Sequence, residues 1–145
     1  MKSWASAYYE QSHEKNPVII YRPEDIDRLI DSLLGNPVSH NMAQVHSLDR
    51  GRLPSGNYDH ELLVGVNSDL QVGLVHFMDD DHGNICTLGN AESRSEVSYS
   101  IDGAFTEFPD NSEVSIDLVR FIVQEFVFSG GVIPSSVEWQ PWLDW

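Results

Sequence analysis

Apolar residues recur along this chain with two different periods. In PEDIDRLIDSLLGN (23–36), Ile26, Leu29, Ile30, Leu33 and Leu34 fall at i, i+3, i+4, i+7 and i+8, the stripe of an amphipathic helix. Pro23 suits the first helical position, Glu24 and Asp25 suit the positive helix start, and Gly35 suits a left-handed stop. From residue 60 the elements shorten and the period becomes two. HELLVGV (60–66) and LQVGLVHFM (70–78) read as strands joined by the turn-like triplet Asn67-Ser68-Asp69, and ICTLG (85–89) reads as another. In EVSYSI (96–101), Val97, Tyr99 and Ile101 alternate with polar neighbours, as in a half-buried strand. Asp102-Gly103 is a two-residue hairpin signal leading into AFTEF (104–108), which Pro109 ends.

A second helix is predicted over VSIDLVRFIVQEFVF (114–128), with Ser115 as N-cap and Gly130-Gly131 as its stop. Its polar stripe is only Asp117, Arg120 and Gln124, so most of its surface must be packed, against the sheet. The tail VIPSSVEWQPWLDW, broken by Pro134 and Pro141, reads as an edge strand or extended segment. Its tryptophans, Trp139, Trp142 and Trp145, either cover the core or meet a partner. The sum is an α+β fold: an antiparallel meander of about five to six strands packed on a long helix in the C-terminal half, with an additional N-terminal helix. One domain is expected over 1–145, with 1–17 as an irregular lead-in.

Composition adds compartment and charge. A hydrophobic fraction of 41% is enough for a folded core. No apolar run approaches the roughly 20 residues needed to span a bilayer, and MKSWASAYYEQSHEKNP has no apolar secretory core. The single cysteine, Cys86, cannot form an internal disulfide, so a reducing, cytoplasmic setting is expected. The net charge of −15 is unevenly placed. Residues 1–58 carry six basic and seven acidic side chains, whereas residues 59–145 carry two basic (Arg94 and Arg120) against sixteen acidic. Such a field repels nucleic acid and anionic membrane and attracts basic partners.

Candidate chemistry centres on HFMDDDHGNI (76–85), where three consecutive aspartates lie between two histidines. It fails as a calcium loop: counted from Asp79, position 6 is Asn84 and position 12 is Asn90, and counted from Asp80 they are Ile85 and Ala91. His76 and His82 flank the turn and would have to meet across a hairpin to bind a transition metal. HEKNP and HELLV both lack the second histidine of a zinc helix motif, and no GxSxG elbow or phosphate loop is present. Cys86 has acidic sequence neighbours, which oppose thiolate formation, and one cysteine excludes a zinc deaminase. The chain does not read as an enzyme, and no metal or cofactor is expected. The alternative is a small acidic metal-binding protein or enzyme built on the Asp/His cluster near residue 80, and a third reading is an acidic adaptor for some other basic protein.

The order of elements resembles immunity protein family 1 of bacterial polymorphic toxin systems. The resemblance spans about residues 18–142 and is carried by VIIYRPEDIDRLIDSL, VGLVHFMDDDHGNI, EVSYSIDGAFTEFP, SIDLVRFIVQEFVFSGG and IPSSVEWQ. Its most specific part runs from Phe108-Pro109 through Gly131 and Pro134 to Val137 and Trp139. Where the family ending carries a basic residue before that proline, this chain has Ile133, which implies a different partner contact there. The resemblance implies an antitoxin that binds a cognate toxin domain, commonly a nucleic-acid deaminase and in other cases a nuclease. On charge and turns, the expected contact residues are Asp79, Asp80, Asp81, Glu92, Glu96, Asp102 and Glu107. The expected partner is a basic protein domain, with no nucleic acid or membrane bound, and the chain itself a monomer or weak dimer.

Overall fold

A computed structural model describes residues 1–89, 94 and 96–142. In chain order its elements are β1 (Ala5–Tyr8), β2 (Val18–Ile20), α1 (Pro23–Gly35), β3 (Met42–Ser47), β4 (His60–Asn67), β5 (Val72–Asp79) and β6 (Gly83–Thr87). These are followed by β7 (Val97–Ile101), β8 (Ala104–Phe108), β9 (Val114–Ser115), α2 (Ile116–Phe128) and β10 (Trp139–Pro141). The main sheet is antiparallel in the order β10-β6-β5-β4-β3-β1-β2, with β9 joined to β5 at Gly73 and Val72. Strands β7 and β8 form a separate two-stranded hairpin.

Alternation along the strands gives the sheet two unlike faces. One presents Ala5, Ala7, Val45, Leu62, Val64, Val75 and Phe77 to α1 and α2, which answer with Ile26, Leu29, Ile30, Leu33, Val119, Ile122, Val123 and Phe126. Each fully buried aliphatic or phenyl side chain of this kind contributes about 1.5–3 kcal/mol. The other face presents Met42, Leu63 and Leu74 to Val97, Tyr99 and Phe108 of the β7–β8 hairpin. Gly65 allows that contact, because a Cβ there would stand 2.7 Å from the Tyr99 ring. The layers are therefore helices, sheet and hairpin.

The sheet is larger than the sequence predicts. β1 lies inside the expected irregular lead-in, and β2 and β3 extend the same edge. β7 and β8 leave the meander instead of continuing it, since after β6 the chain crosses to the helix-free face. Nor is α2 a dominant long helix: at 13 residues it equals α1. Ser115 does cap it, its Oγ accepting from Leu118 N at 3.2 Å. Gly130 (φ +81) and Gly131 (φ +91) end it, with Gly131 N donating to Phe126 O at 2.9 Å. Gly35 takes no left-handed conformation; α1 stops instead because Asn36 turns extended (φ −85, ψ 156) before Pro37. At its start, Asp25 reaches back to accept from Tyr21 N and Arg22 N at 2.8 and 3.1 Å. No helix among the described residues is long and apolar enough to cross a membrane.

Candidate partner-binding surface

Both cations of the acidic half are spent inside the molecule. Arg94 forks onto Glu113, Nε to Oε1 at 2.6 Å and Nη2 to Oε2 at 2.8 Å, with the Glu113 side chain only 5% exposed. The Tyr99 hydroxyl donates to the same carboxylate; burial first, then the Glu113 charge, pushes its pKa up. These bonds tie the hairpin to the segment leading into β9. Arg120 crosses from α2 to Asp27 and Asp31 of α1. The exposed acids of residues 59–145 are thus left without cations of their own half.

The tri-aspartate turn divides its residues between inside and outside. Asp79, on the helix side of the sheet, is 8% exposed. Its Oδ1 accepts from His82 N at 2.8 Å and lies 2.8 Å from His82 Nδ1, while Oδ2 accepts from Arg50 Nη2 at 3.2 Å. Arg50 also donates to both Asp59 oxygens at 3.0 and 3.2 Å and to the Gly131 carbonyl at 3.0 Å. Only glycine fits at 131: beyond its φ of +91, a Cβ would meet Arg50 Cδ at 2.6 Å and Ser47 Cβ at 2.7 Å. His60 completes the cluster. Its Nε2 accepts from Ser47 N at 2.8 Å, so Nδ1 carries the proton toward Asp59 Oδ1, 2.8 Å away.

Burial works to raise the carboxyls of Asp59 and Asp79. The bonds from His60 and Arg50 to Asp59, and from His82 and Arg50 to Asp79, outweigh it, and both acids sit below their usual range. Asp79 therefore does not project from the turn as its neighbours suggested; only Asp80 and Asp81 stand exposed. Nor do His76 and His82 meet. His76 lies on the helix-free face, bonded through Nε2 to Asn84 Oδ1 at 3.1 Å and covered edge-on by Trp142 at 4.6 Å. Burial holds its pKa down to about 4. Burial likewise drives the Cys86 thiol up to about 12, which leaves it a core residue rather than a nucleophile. Among the described residues no three His, Cys, Asp or Glu side chains converge on a metal-sized site.

The remaining acids fall into two groups. Glu96, Glu107 and Asp110 border one concavity of about 240 Å³ at the base of the hairpin. Register places Ser98 opposite Glu107 and Ser100 opposite Phe105, so Phe105 and Glu107 share the outer face of β8. Phe105 is 59% exposed there, a large apolar ring on the same face as Glu107, which has no salt-bridge partner among the described residues. Asp102 occupies the hairpin tip at φ +50, followed by Gly103 at +85, and lies 3.3 Å from His40 Nε2. It lines a different cavity, shared with Glu61 and Tyr8. Asp80 and Asp81 line neither, and Glu92 lies outside the described residues. Sequence reasoning missed Phe105, Asp110 and Glu61, although the alternation of AFTEF places Phe105 on the same phase as Glu107.

Of the tail tryptophans, Trp139 packs on the helix-side core from the edge strand β10, and Trp142 stacks on Phe108 at 4.9 Å. Trp145 lies outside the described residues.

A protein-family model described as immunity protein Imm1 matches residues 14–141. No curated protein matches the chain. A solved structure described as a hypothetical protein from Neisseria gonorrhoeae is 12% identical, with 89% of this chain and 88% of that one covered and a TM-score of 0.43.

Proposed function

The chain belongs to the Imm1 family of immunity proteins, and we propose that it neutralises a cognate toxin domain by occupying that domain's basic substrate groove. The toxin class follows the family resemblance: an enzyme acting on nucleic acid, of deaminase or nuclease type. Such an enzyme needs a cationic groove for phosphates, and an acidic protein surface can lie where those phosphates would. The observation that carries this reading is the consumption of Arg94 and Arg120 in internal ion pairs, which leaves the described acids of the second half, Asp59, Asp79 and Glu113 apart, without a lysine or arginine partner. Opposite charge steers encounter, up to about 10⁸–10⁹ M⁻¹s⁻¹ at low salt.

Charge alone does not hold a complex together; a desolvated centre must form as well. The hairpin's outer face supports that role, because exposed Phe105 shares it with Glu107, an aromatic anchor next to a carboxylate. Glu96 and Glu107 are assigned to this contact, with Asp102 and the Asp80-Asp81 turn supplying the outer field. Asp79 acts one step back, fixing the turn through Arg50 and His82. The inhibitor itself performs no turnover and needs no cofactor.

Co-expression tests the reading. A toxin domain from the neighbouring upstream reading frame should arrest growth alone and not in the presence of this chain. Continued arrest with soluble immunity protein present would contradict it.

A further inference from the structure

The β7–β8 hairpin covers only part of the helix-free face, and a groove runs over the rest. One wall is the short turn Gln11–Glu14 with Pro17; the other is the hairpin tip from Ile101 to Thr106. Alternate residues of three strands make the floor: Tyr8 of β1, Gln44 and His46 of β3, and Glu61 of β4. Two cavities of about 410 and 430 Å³ meet at Tyr8 and Gln44.

The groove carries charge of one sign. Glu14, Glu61 and Asp102 line it, and among the described residues no lysine or arginine does. Burial, then the nearby His60 and Arg52, holds the His46 pKa down to about 4, so it adds no charge at neutral pH. Among the described residues no cation lies within ion-pair distance of Glu14 or Glu61. Glu61 is half-buried, and burial raises its carboxyl against the opposing Gln44 amide. A carboxylate drawn out of water without a counter-ion gains most from a cation brought to it.

Its walls are aromatic as well as acidic. Tyr58 already lies between two planar partners, the His46 ring at 3.9 Å and the Arg52 guanidinium at 3.7 Å. The molecule thus displays at the groove's margin the stacking that a guanidinium makes on a tyrosine. Tyr8, which borders both cavities, has no such cation over its ring among the described residues. We infer that the groove receives an arginine-bearing loop of the protein partner, one guanidinium stacking on Tyr8 and donating to Glu61. Arginine suits it better than lysine, because its planar fork stacks and makes two bonds to one carboxylate at once. A small apolar ligand is disfavoured by the polar floor, and a nucleic acid by the three acids. The inference rests on the partner being a basic protein, but it assigns a surface separate from the hairpin's outer face.

The test is an amide-resolved NMR titration of the whole chain with N-acetyl-arginine amide, and with N-acetyl-citrulline amide as the uncharged analogue. The arginine derivative should shift the amides of Tyr8, Gln44, Glu61 and Thr106 saturably, and the citrulline derivative should not. Glu61→Gln should weaken the arginine titration at least about tenfold while leaving the melting temperature unchanged or higher, since it removes an unpaired half-buried charge. Equal shifts with citrulline, shifts confined to the Asp80-Asp81 turn, or an unchanged affinity in Glu61→Gln would overturn the assignment. Failure of the protein to protect cells leaves this titration readable, so the groove and the neutralising role fail separately.

Discussion

Asp79 and Arg50 are joined at 3.2 Å, and that pair withdraws the first of three consecutive aspartates from solvent. The turn is consequently two exposed charges mounted on a third that holds them. Arg50 also binds Asp59 and the carbonyl of Gly131, so it clamps β5, the approach to β4 and the end of α2 together.

The three aspartates should therefore differ sharply in stability effect. Asp79→Ala should cost about 2 kcal/mol in urea unfolding, because it takes one of two carboxylates from the half-buried Arg50 and the acceptor from His82 N. Asp80→Ala and Asp81→Ala should each stay within about 0.5 kcal/mol. Equal effects at all three would remove the distinction.

How much of this was legible beforehand varies by element. α1 was readable because five apolar residues sit on one helical stripe, and the β7–β8 turn because Asp102-Gly103 favours positive φ at both positions. β1 and β3 were not, since their core-facing residues include Ala5, Ala7 and Ala43, whose small side chains give little periodic signal. The partition of the aspartates was unreadable for a different reason. It depends on Arg50, 29 residues earlier in the chain, and local sequence carries no trace of that partner.

Gly131→Ala should destabilise by more than about 2 kcal/mol, combining a left-handed backbone cost with displacement of Arg50. Loss of the clamp predicts that this variant and Asp79→Ala combine less than additively, which a double-mutant cycle of unfolding free energies measures. Strict additivity would show that Gly131 does not act through Arg50.

Acid should weaken the fold in two stages. His76 has a folded pKa of about 4 against 6.5 unfolded, so the unfolded chain binds more protons between those values and stability falls as pH drops. Its share of the loss from neutral pH down to the folded pKa is about 3 kcal/mol. Asp59 and Asp79 then extend the loss at lower pH, because their folded pKa values lie below the unfolded ones and their stabilisation disappears on protonation. His76→Phe, under the Trp142 ring, should remove its own share of the upper stage, leaving the share of His46 and His60, whose pKa values burial also lowers, and the lower stage intact. A wild-type unfolding free energy that is flat across the upper stage would contradict the neutral buried imidazole.

The most direct measurement is the dissociation constant for the toxin domain of the neighbouring reading frame, taken at low and high salt for wild type, Phe105→Ala and the double variant Glu96→Gln/Glu107→Gln. Phe105→Ala should cost about 2 kcal/mol, about thirtyfold in affinity, at either salt. The double variant should bind more weakly at low salt and converge on wild type at high salt, as screening erases the lost charges. Wild-type binding that ignores salt, together with undiminished affinity in both variants, would show that the acidic hairpin face does not meet the toxin.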